Sequence, residues 1–548
     1  MSPVSTTANA LGETIPHMQE KDLPGNANWV VQKYGGTSLG KFPVNIAQDI
    51  ILTSSRPGLK NHRIAIVCSA RSTYTKSEGT TNRLLRAARE AEKSSSRKYE
   101  DIIRIIRDDH LAAGRDTIAN ASIREIYEVA VTEECDSLVK ICESAQHLGE
   151  VSTRTEDKII AKGEKLSCQY MAALLKDKGV DAAYVDLSDI ISFDTGSTLD
   201  EDFYFKLAHA LAKAVYDCGA AVPVITGYFG NVPGGLLSQV GRGYTDLCAA
   251  LVAVGLKARE LQIWKEVDGI FTADPRKVPT ARLLESVTPS EAAELTFYGS
   301  EVIHPFTMDQ VIRAAIPIRI KNVMNPRGTG TIILPDPVSD MAYKKPGLYR
   351  NHSRYHVSAT SDSSFLALSN GAPKPFSRTP KRPTAVTIKR GITVLNVHSK
   401  KRTRAHGFLM SIFSTLDKHK LSVDLISSSE VHVSMALHSE IALLSQAEPD
   451  SEEMKIESAA LKGAVDDLGR WGDVDLVPSM AIISLVGREL RSMVGISGRF
   501  LGVLGEEGIN IEMISQGASE INISCVIDEA EANRALNVVH TNLFTFLD

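Results

Sequence analysis

Three short stretches of the 548-residue sequence carry residues whose types and spacing suit phosphate chemistry. The first is Lys33-Tyr34-Gly35-Gly36-Thr37-Ser38, at the end of an apolar run. Its two glycines remove side chains, so that backbone N–H groups can approach phosphate oxygens, while Thr37 and Ser38 add hydroxyl donors. Pro43 suits the first turn of a following helix, whose N-terminal dipole adds positive potential. Gly35 through Lys41 fits the G-x-x-x-x-G-K spacing of a Walker loop, but Phe42 stands where that loop needs Ser or Thr for magnesium. Taken alone, the segment reads equally as a strand-end glycine turn with an incidental lysine.

The second stretch is Gly241-Arg242-Gly243-Tyr244-Thr245-Asp246, running into the apolar segment Leu247–Val254, a helix that Thr245 can cap and Gly255 can end. Arg242 near such a helix start can grip a carboxylate with both arms of its guanidinium. Asp246, in the first turn, is either a partner of the helix dipole or a group that orients a lysine or a magnesium shell. The third stretch, from Glu266 to Arg276, follows an apolar strand and contains the turn pair Asp268-Gly269 and the break Asp274-Pro275. Lys265, Phe271 and Arg276 there suit a nucleotide, with charge for phosphates and an aromatic surface for a base; an exposed loop is the plainer alternative.

The elements that must position these residues form an α/β pattern from Trp29 to about Ile333. Short β-branched runs at Trp29–Tyr34, Arg63–Cys68, Ala182–Asp186, Ala221–Thr226, Leu261–Lys265 and Ile318–Lys321 alternate with amphipathic stretches, which predicts a largely parallel sheet flanked by helices. Residues 1–28 read as a frayed tail, 29–334 as one domain, and 335–383, rich in Ser, Pro and basic residues, as a linker. Residues 384–548 repeat themselves: Leu416 through Ser427 matches Leu504 through Ser515 at a shift of 88 residues, with the copies centred on 408–440 and 498–527. Each copy predicts a helix (Phe408–Lys418; Gly498–Glu506), a turn, and an alternating strand (Leu421–Ile426; Ile509–Ile514).

Composition bounds the partners. A net charge of -5 gives no diffuse attraction to nucleic acid, and no apolar run approaches the length that spans a bilayer. The seven cysteines (68, 135, 142, 168, 218, 248, 525) include no Cys-x-x-Cys pair and read as reduced core thiols of a soluble cytoplasmic protein, with no dedicated metal cluster.

Together the three stretches resemble the amino-acid-kinase family and, within it, the aspartate kinases. Val67-Cys68-Ser69-Ala70, Thr80-Thr81-Asn82, Gly163-Glu164-Lys165-Leu166-Ser167 and Val302-Ile303-His304-Pro305 extend the match. The resemblance implies that Lys33, Arg242 and Asp246 are catalytic. It implies that Thr81, Glu164 and Arg242 contact aspartate, with Glu164 taking its ammonium and Arg242 its other carboxylate. Lys33, Gly35, Gly36 and Ser38 would lie along the phosphates of ATP, and Lys265, Glu266, Phe271 and Arg276 would surround the nucleotide, with Mg²⁺ as companion ion. Glu266 stands where an aspartate is more usual, and Glu301 where some relatives have a nucleotide-binding lysine; His304 reads as structural.

The repeat resembles a pair of ACT domains, ferredoxin-like modules that bind amino acids at a shared seam. That implies an effector site at Phe408, Leu409, Ser422, Val423 and Asp424, feedback inhibition by threonine with lysine as rival, a place in threonine and methionine formation, and a homo-oligomer through ACT pairing. Two other readings stay open at this point: a sibling kinase acting on glutamate, carbamate or a nucleoside monophosphate, and a non-catalytic amino-acid sensor.

Overall fold

A computed structural model describes residues 28–55, 62–73, 78–193, 199–230, 232–240, 243–298, 305–334, 382–400, 407–429, 431–438, 444–446, 454–456, 458–488, 490, 493–516 and 521–545. The expected tail up to residue 27, linker residues 335–381, Arg242, Glu301 and His304 lie outside the described residues. Two compact units divide the chain, one ending at Gln262 and the other beginning at Ile263.

In the first unit, β1 (Trp29–Tyr34), β2 (Arg63–Cys68), β3 (Ala182–Val185) and β4 (Val222–Thr226) form a parallel sheet in the order β3-β4-β2-β1. The first residues of β5 (Glu260–Lys265) follow beside β1, where Arg259 N–H donates to Trp29 O at 2.8 Å and Gln32 donates to Gln262 at 3.0 Å. Trp29, Val30, Val31 and Tyr34 are all buried, so β1 shows no alternation. That is the pattern of a parallel strand covered on both faces. Helix Thr153–Asp177 packs on β2, β3 and β4, and helix Tyr244–Gly255 on β1 and β2. Helix starts fall where a side-chain oxygen accepts first-turn N–H groups: Asn120 from Ser122 and Ile123, Ser152 from Thr155, Asp200 from Phe203.

The second unit opens with the end of β5, followed by β6 (Ser286–Val287), β7 (Ile318–Asn322) and β8 (Thr331–Ile333). Strands β7 and β8 are antiparallel, and β6 runs parallel to β8. Then come β9 (Ala385–Ser399), β10 (Val423–Ser428), β11 (His432–His438), a separate pair of β12 (Leu444–Gln446) and β13 (Met454–Ile456), and finally β14 (Gly472–Val486), β15 (Met513–Ser515) and β16 (Asn522–Asp528). Apart from that pair, these strands make one antiparallel sheet in the order β10-β11-β9-β14-β16-β15.

Helices Phe408–Lys418 and Ala459–Leu468 cover one half of this sheet, and Ile496–Glu506 and Ala532–His540 the other. The halves are interlaced. In β9, Ala385–Lys389 pairs with Ile482–Val486 in the second half, whereas Val394–Ser399 pairs with Gly472–Val477 in the first. The register shifts where Gly391 and Ser479 take positive φ values of 69° and 56°. That shift changes the phase of the alternation. Val386 and Ile388 face one helix pair, Leu395 and Val397 the other, and Ile392, Val394, Met480 and Ile482 share the opposite face. Strand β15 begins at Met513 instead of Ile509, and Ile509 and Ile511 pack into the helix-side core ahead of it. No helix among the described residues is long and apolar enough to cross a membrane.

Candidate active site

Lys33 lies at the penultimate position of β1, opposite Val67 of β2. Its ammonium is 2.7 Å from the carboxylate of Asp246, with side-chain exposures of 12% and 19%. Asp246 occupies the first turn of helix Tyr244–Gly255, so its negative charge also meets the positive end of that helix. Both readings of Asp246 hold at once: it complements the dipole and fixes a lysine.

The two glycines after Tyr34 play different parts. A Cβ on Gly36 would stand 2.1 Å from the backbone oxygen of Ala70, so only glycine lets the loop after β1 press onto the loop after β2. Ser69 N–H donates to Tyr34 O at 3.1 Å and Ser72 N–H to Gly36 O at 2.9 Å along this contact. Nothing lies within 4 Å of a Cβ on Gly35, whose backbone therefore has open space beside it. Ser38 is fully buried, and Thr37 is the exposed hydroxyl of the loop.

Glu164, in helix Thr153–Asp177, is wholly buried. Thr245 Oγ1 donates to Glu164 Oε1 at 2.6 Å. Thr245 thus turns to a carboxylate from another helix; the helix start it was expected to cap has Gly243 at the capping position and no side-chain cap. The local pattern of a hydroxyl at a helix start could not reveal that tertiary acceptor. Burial pushes the Glu164 carboxyl up to about 7, while hydrogen bonds from Thr245, the Tyr228 backbone and Tyr244, and the charge of Lys33, pull the other way. Thr81 is half-buried in the first turn of helix Thr80–Ala91, and its neighbour Thr80 ties that turn to Arg71 O through both N–H (3.1 Å) and hydroxyl (2.7 Å). Cys68, Cys168 and Cys248 lie buried around Glu164, and all seven cysteines are free.

In the second unit, Lys265 ends β5, half-buried, and its carbonyl accepts from Val323 N–H at 2.9 Å; Glu266 is exposed. Phe271 is half-buried and bridges to Leu283. Arg276, 86% exposed at its side chain, forks onto Asp274 at 3.0 and 3.1 Å, so its guanidinium already has an anion. Among the described residues no group of three or more His, Cys, Asp or Glu could hold a metal ion.

At the expected effector position, Phe408 and Val423 are partly buried and each packs against the core of the first sheet half, Leu409 is 46% exposed and Ser422 is exposed. Asp424 turns to Lys389 at 2.7 Å, and the same ammonium lies 4.6 Å over the Phe297 ring. Lys389 and Phe297 were not anticipated. A lysine inside the otherwise apolar start of β9 was the available signal.

Residues 28–322 match the model of the amino acid kinase family, and residues 483–543 match an ACT domain. The aspartokinase of Schizosaccharomyces pombe is 52% identical over 516 residues, covering 94% of this chain and 92% of that protein. The aspartokinase of Saccharomyces cerevisiae is 50% identical over 533 residues, covering 96% and 95%. Among solved structures, E. coli aspartokinase III in complex with aspartate and ADP superimposes with a TM-score of 0.67 at 25% identity, covering 94% of this chain and 99% of that one. The same enzyme in complex with lysine and aspartate gives 0.68 at 25% identity, covering 94% and 100%. A parallel-sheet kinase carrying ACT modules is the class that fold and site define. The chain belongs to the aspartokinases of the amino acid kinase family, enzymes that phosphorylate aspartate.

Proposed function

We propose that the protein transfers the γ-phosphoryl group of ATP to the side-chain carboxylate of L-aspartate, giving 4-phospho-L-aspartate and ADP, under feedback control by an end-product amino acid. The observation that carries this reading is one cluster in the first unit: Lys33 meets Asp246 at 2.7 Å while the adjacent Thr245 meets Glu164 at 2.6 Å. A fixed cation beside a buried acid suits a phosphate donor and an amino-acid acceptor.

An aspartate side chain has a reference pKa of about 3.9, so the acceptor is an ionised nucleophile at neutral pH and needs no general base. Its oxygen lone pair attacks the γ-phosphorus as the bond to the β–γ bridging oxygen breaks, and that electron pair leaves on ADP. Lys33 stands to neutralise charge on the transferring oxygens, and Asp246 keeps its ammonium from wandering. Gly35 leaves its backbone open to phosphate. Glu164 and Thr81 would hold the aspartate, with Arg242 on its other carboxylate. Lys265, Glu266, Phe271 and Arg276 would contact the nucleoside and phosphates. Mg²⁺ would be held chiefly by the substrate phosphates, with the Asp246 carboxylate as a protein oxygen donor, and would neutralise charge on the β- and γ-phosphates.

The favoured inhibitor is threonine, which would place the enzyme in threonine and methionine formation; lysine is the rival. The exposed Leu409, Met410 and Phe413 on helix Phe408–Lys418 offer an apolar surface for a second copy, in keeping with a homo-oligomer. The test is ADP release with ATP and Mg²⁺ against aspartate, glutamate, carbamate and nucleoside monophosphates, followed by separate titrations with threonine and lysine. Turnover with aspartate alone supports the reading. Faster turnover with another acceptor sinks it, and inhibition by lysine but not threonine overturns the pathway assignment.

A further inference from the structure

His540 is the last residue of helix Ala532–His540 and is fully buried. Its Nε2 lies 2.8 Å from Thr272 Oγ1 and its Nδ1 lies 3.2 Å from Thr280 Oγ1. Thr272 Oγ1 already accepts the N–H of Arg282 at 2.9 Å. The Thr272 hydroxyl is then best placed to donate to an unprotonated Nε2, which leaves Nδ1–H to donate to Thr280. One neutral imidazole thus satisfies two hydroxyls that bracket the segment bearing Arg276.

The rest of that segment is built into the same half of the regulatory sheet. Ala273 and Val278 are buried in its core beside Phe500 and Leu536. Val386 N–H of β9 donates to Thr272 O at 2.8 Å, and Arg282 donates to the backbone oxygen of Phe544 at 3.1 Å. The His540 ring stacks on Phe544 with centroids 5.0 Å apart and planes 8° from parallel. These contacts join the segment to the helix that ends at His540.

We propose that His540 is a positioning residue for the nucleotide: by clasping Thr272 and Thr280 it holds Phe271 and Arg276 in the arrangement that binds ATP, and so ties nucleotide affinity to the C-terminal helix. This rests on the assignment of Phe271 and Arg276 to the nucleotide. The ligand class is a nucleoside triphosphate, and aspartate binding is not involved.

The experiment uses the full chain and measures kcat and both KM values for His540→Ala, His540→Gln, Thr280→Val and Arg276→Ala, with direct binding of a fluorescent ATP analogue. His540→Ala is expected to raise the KM for ATP by about tenfold and Thr280→Val by about threefold, with the KM for aspartate within about twofold of the parent. His540→Gln, whose amide offers one donor and one acceptor, restores at least half of the lost affinity. Thr280 is exposed, so its variant reads the clasp even where His540→Ala fails to fold. If Arg276→Ala raises the ATP KM while Thr280→Val matches the parent and His540→Ala shows no rise in the ATP KM beyond what lost stability explains, the clasp is wrong. If Arg276→Ala leaves ATP affinity unchanged, the nucleotide assignment falls and the clasp with it.

Discussion

The Asp246 carboxylate sits 2.7 Å from the Lys33 ammonium, joining the first turn of one helix to the end of the central strand with both side chains largely shielded from solvent. A lysine on a four-carbon stem would otherwise sample many positions. Paired in this way, its charge has one address.

Removing the pairing should therefore cost turnover. Asp246→Asn and Lys33→Ala are each expected to lower kcat for ADP release by at least about tenfold, close to 1.4 kcal/mol of lost transition-state stabilisation. Because the two groups act as a unit, the double variant should be little worse than the poorer single variant. Fully additive losses would show that they act separately.

Glu164 gives a pH signature with a definite sign. Its carboxyl ionises at about 7 in the fold against an ordinary 4.5, so between those values the folded chain binds more protons than the unfolded one, and this group's contribution to stability falls as pH rises. Above about pH 7 the full penalty of a buried charge, on the order of a few kcal/mol, is in force. Glu164→Gln should accordingly raise Tm relative to the parent more at pH 8 than at pH 5. If Glu164 holds the substrate ammonium, the parent's KM for aspartate should fall as pH rises through about 7, and the variant should lack that trend. A KM profile shared by both would remove Glu164 from the substrate site.

The neighbouring glycines should respond in opposite ways. Gly36→Ala forces a methyl against the Ala70 carbonyl, which requires backbone movement and should cost about 1–3 kcal/mol of stability. Gly35→Ala meets nothing within 4 Å and should leave stability within about 0.5 kcal/mol, while raising the KM for ATP where the open backbone meets phosphate. Denaturant melts and ATP titrations separate the cases. Equal destabilisation of both variants contradicts this division of labour.

The Asp424–Lys389 pair predicts competition at the effector position. An amino-acid ammonium that takes Asp424 must displace a lysine held at 2.7 Å. Asp424→Ala should raise the threonine concentration for half-inhibition at least about tenfold, read as a ratio to the parent. An unchanged ratio would falsify the effector assignment of Asp424.

Much of this architecture was legible from residue pattern. β1 and β2 matched their expected bounds because both faces of those strands are buried and the apolar runs are unbroken. The helices of the repeat were equally plain, since Phe408–Lys418 and its copy carry the same apolar faces, but their strands start later than expected, at Val423 and Met513. Other features depend on distant partners and leave no local mark. Thr245 looks like a cap, and only the fold brings Glu164 to its hydroxyl. Gly35 and Gly36 look alike in sequence, yet one faces open space and the other a carbonyl. The threading of β9 and β14 through both sheet halves was hidden because the phase changes at Gly391 and Ser479 break the alternation that would have traced each strand.

That threading governs how the C-terminal sheet can come apart. Neither half of the duplicated sheet owns a full set of strands, and a chain cut between Val477 and Met480 would strand Ala385–Lys389 without a ladder partner. The two halves are therefore expected to melt in one transition, which calorimetry of the full chain would check.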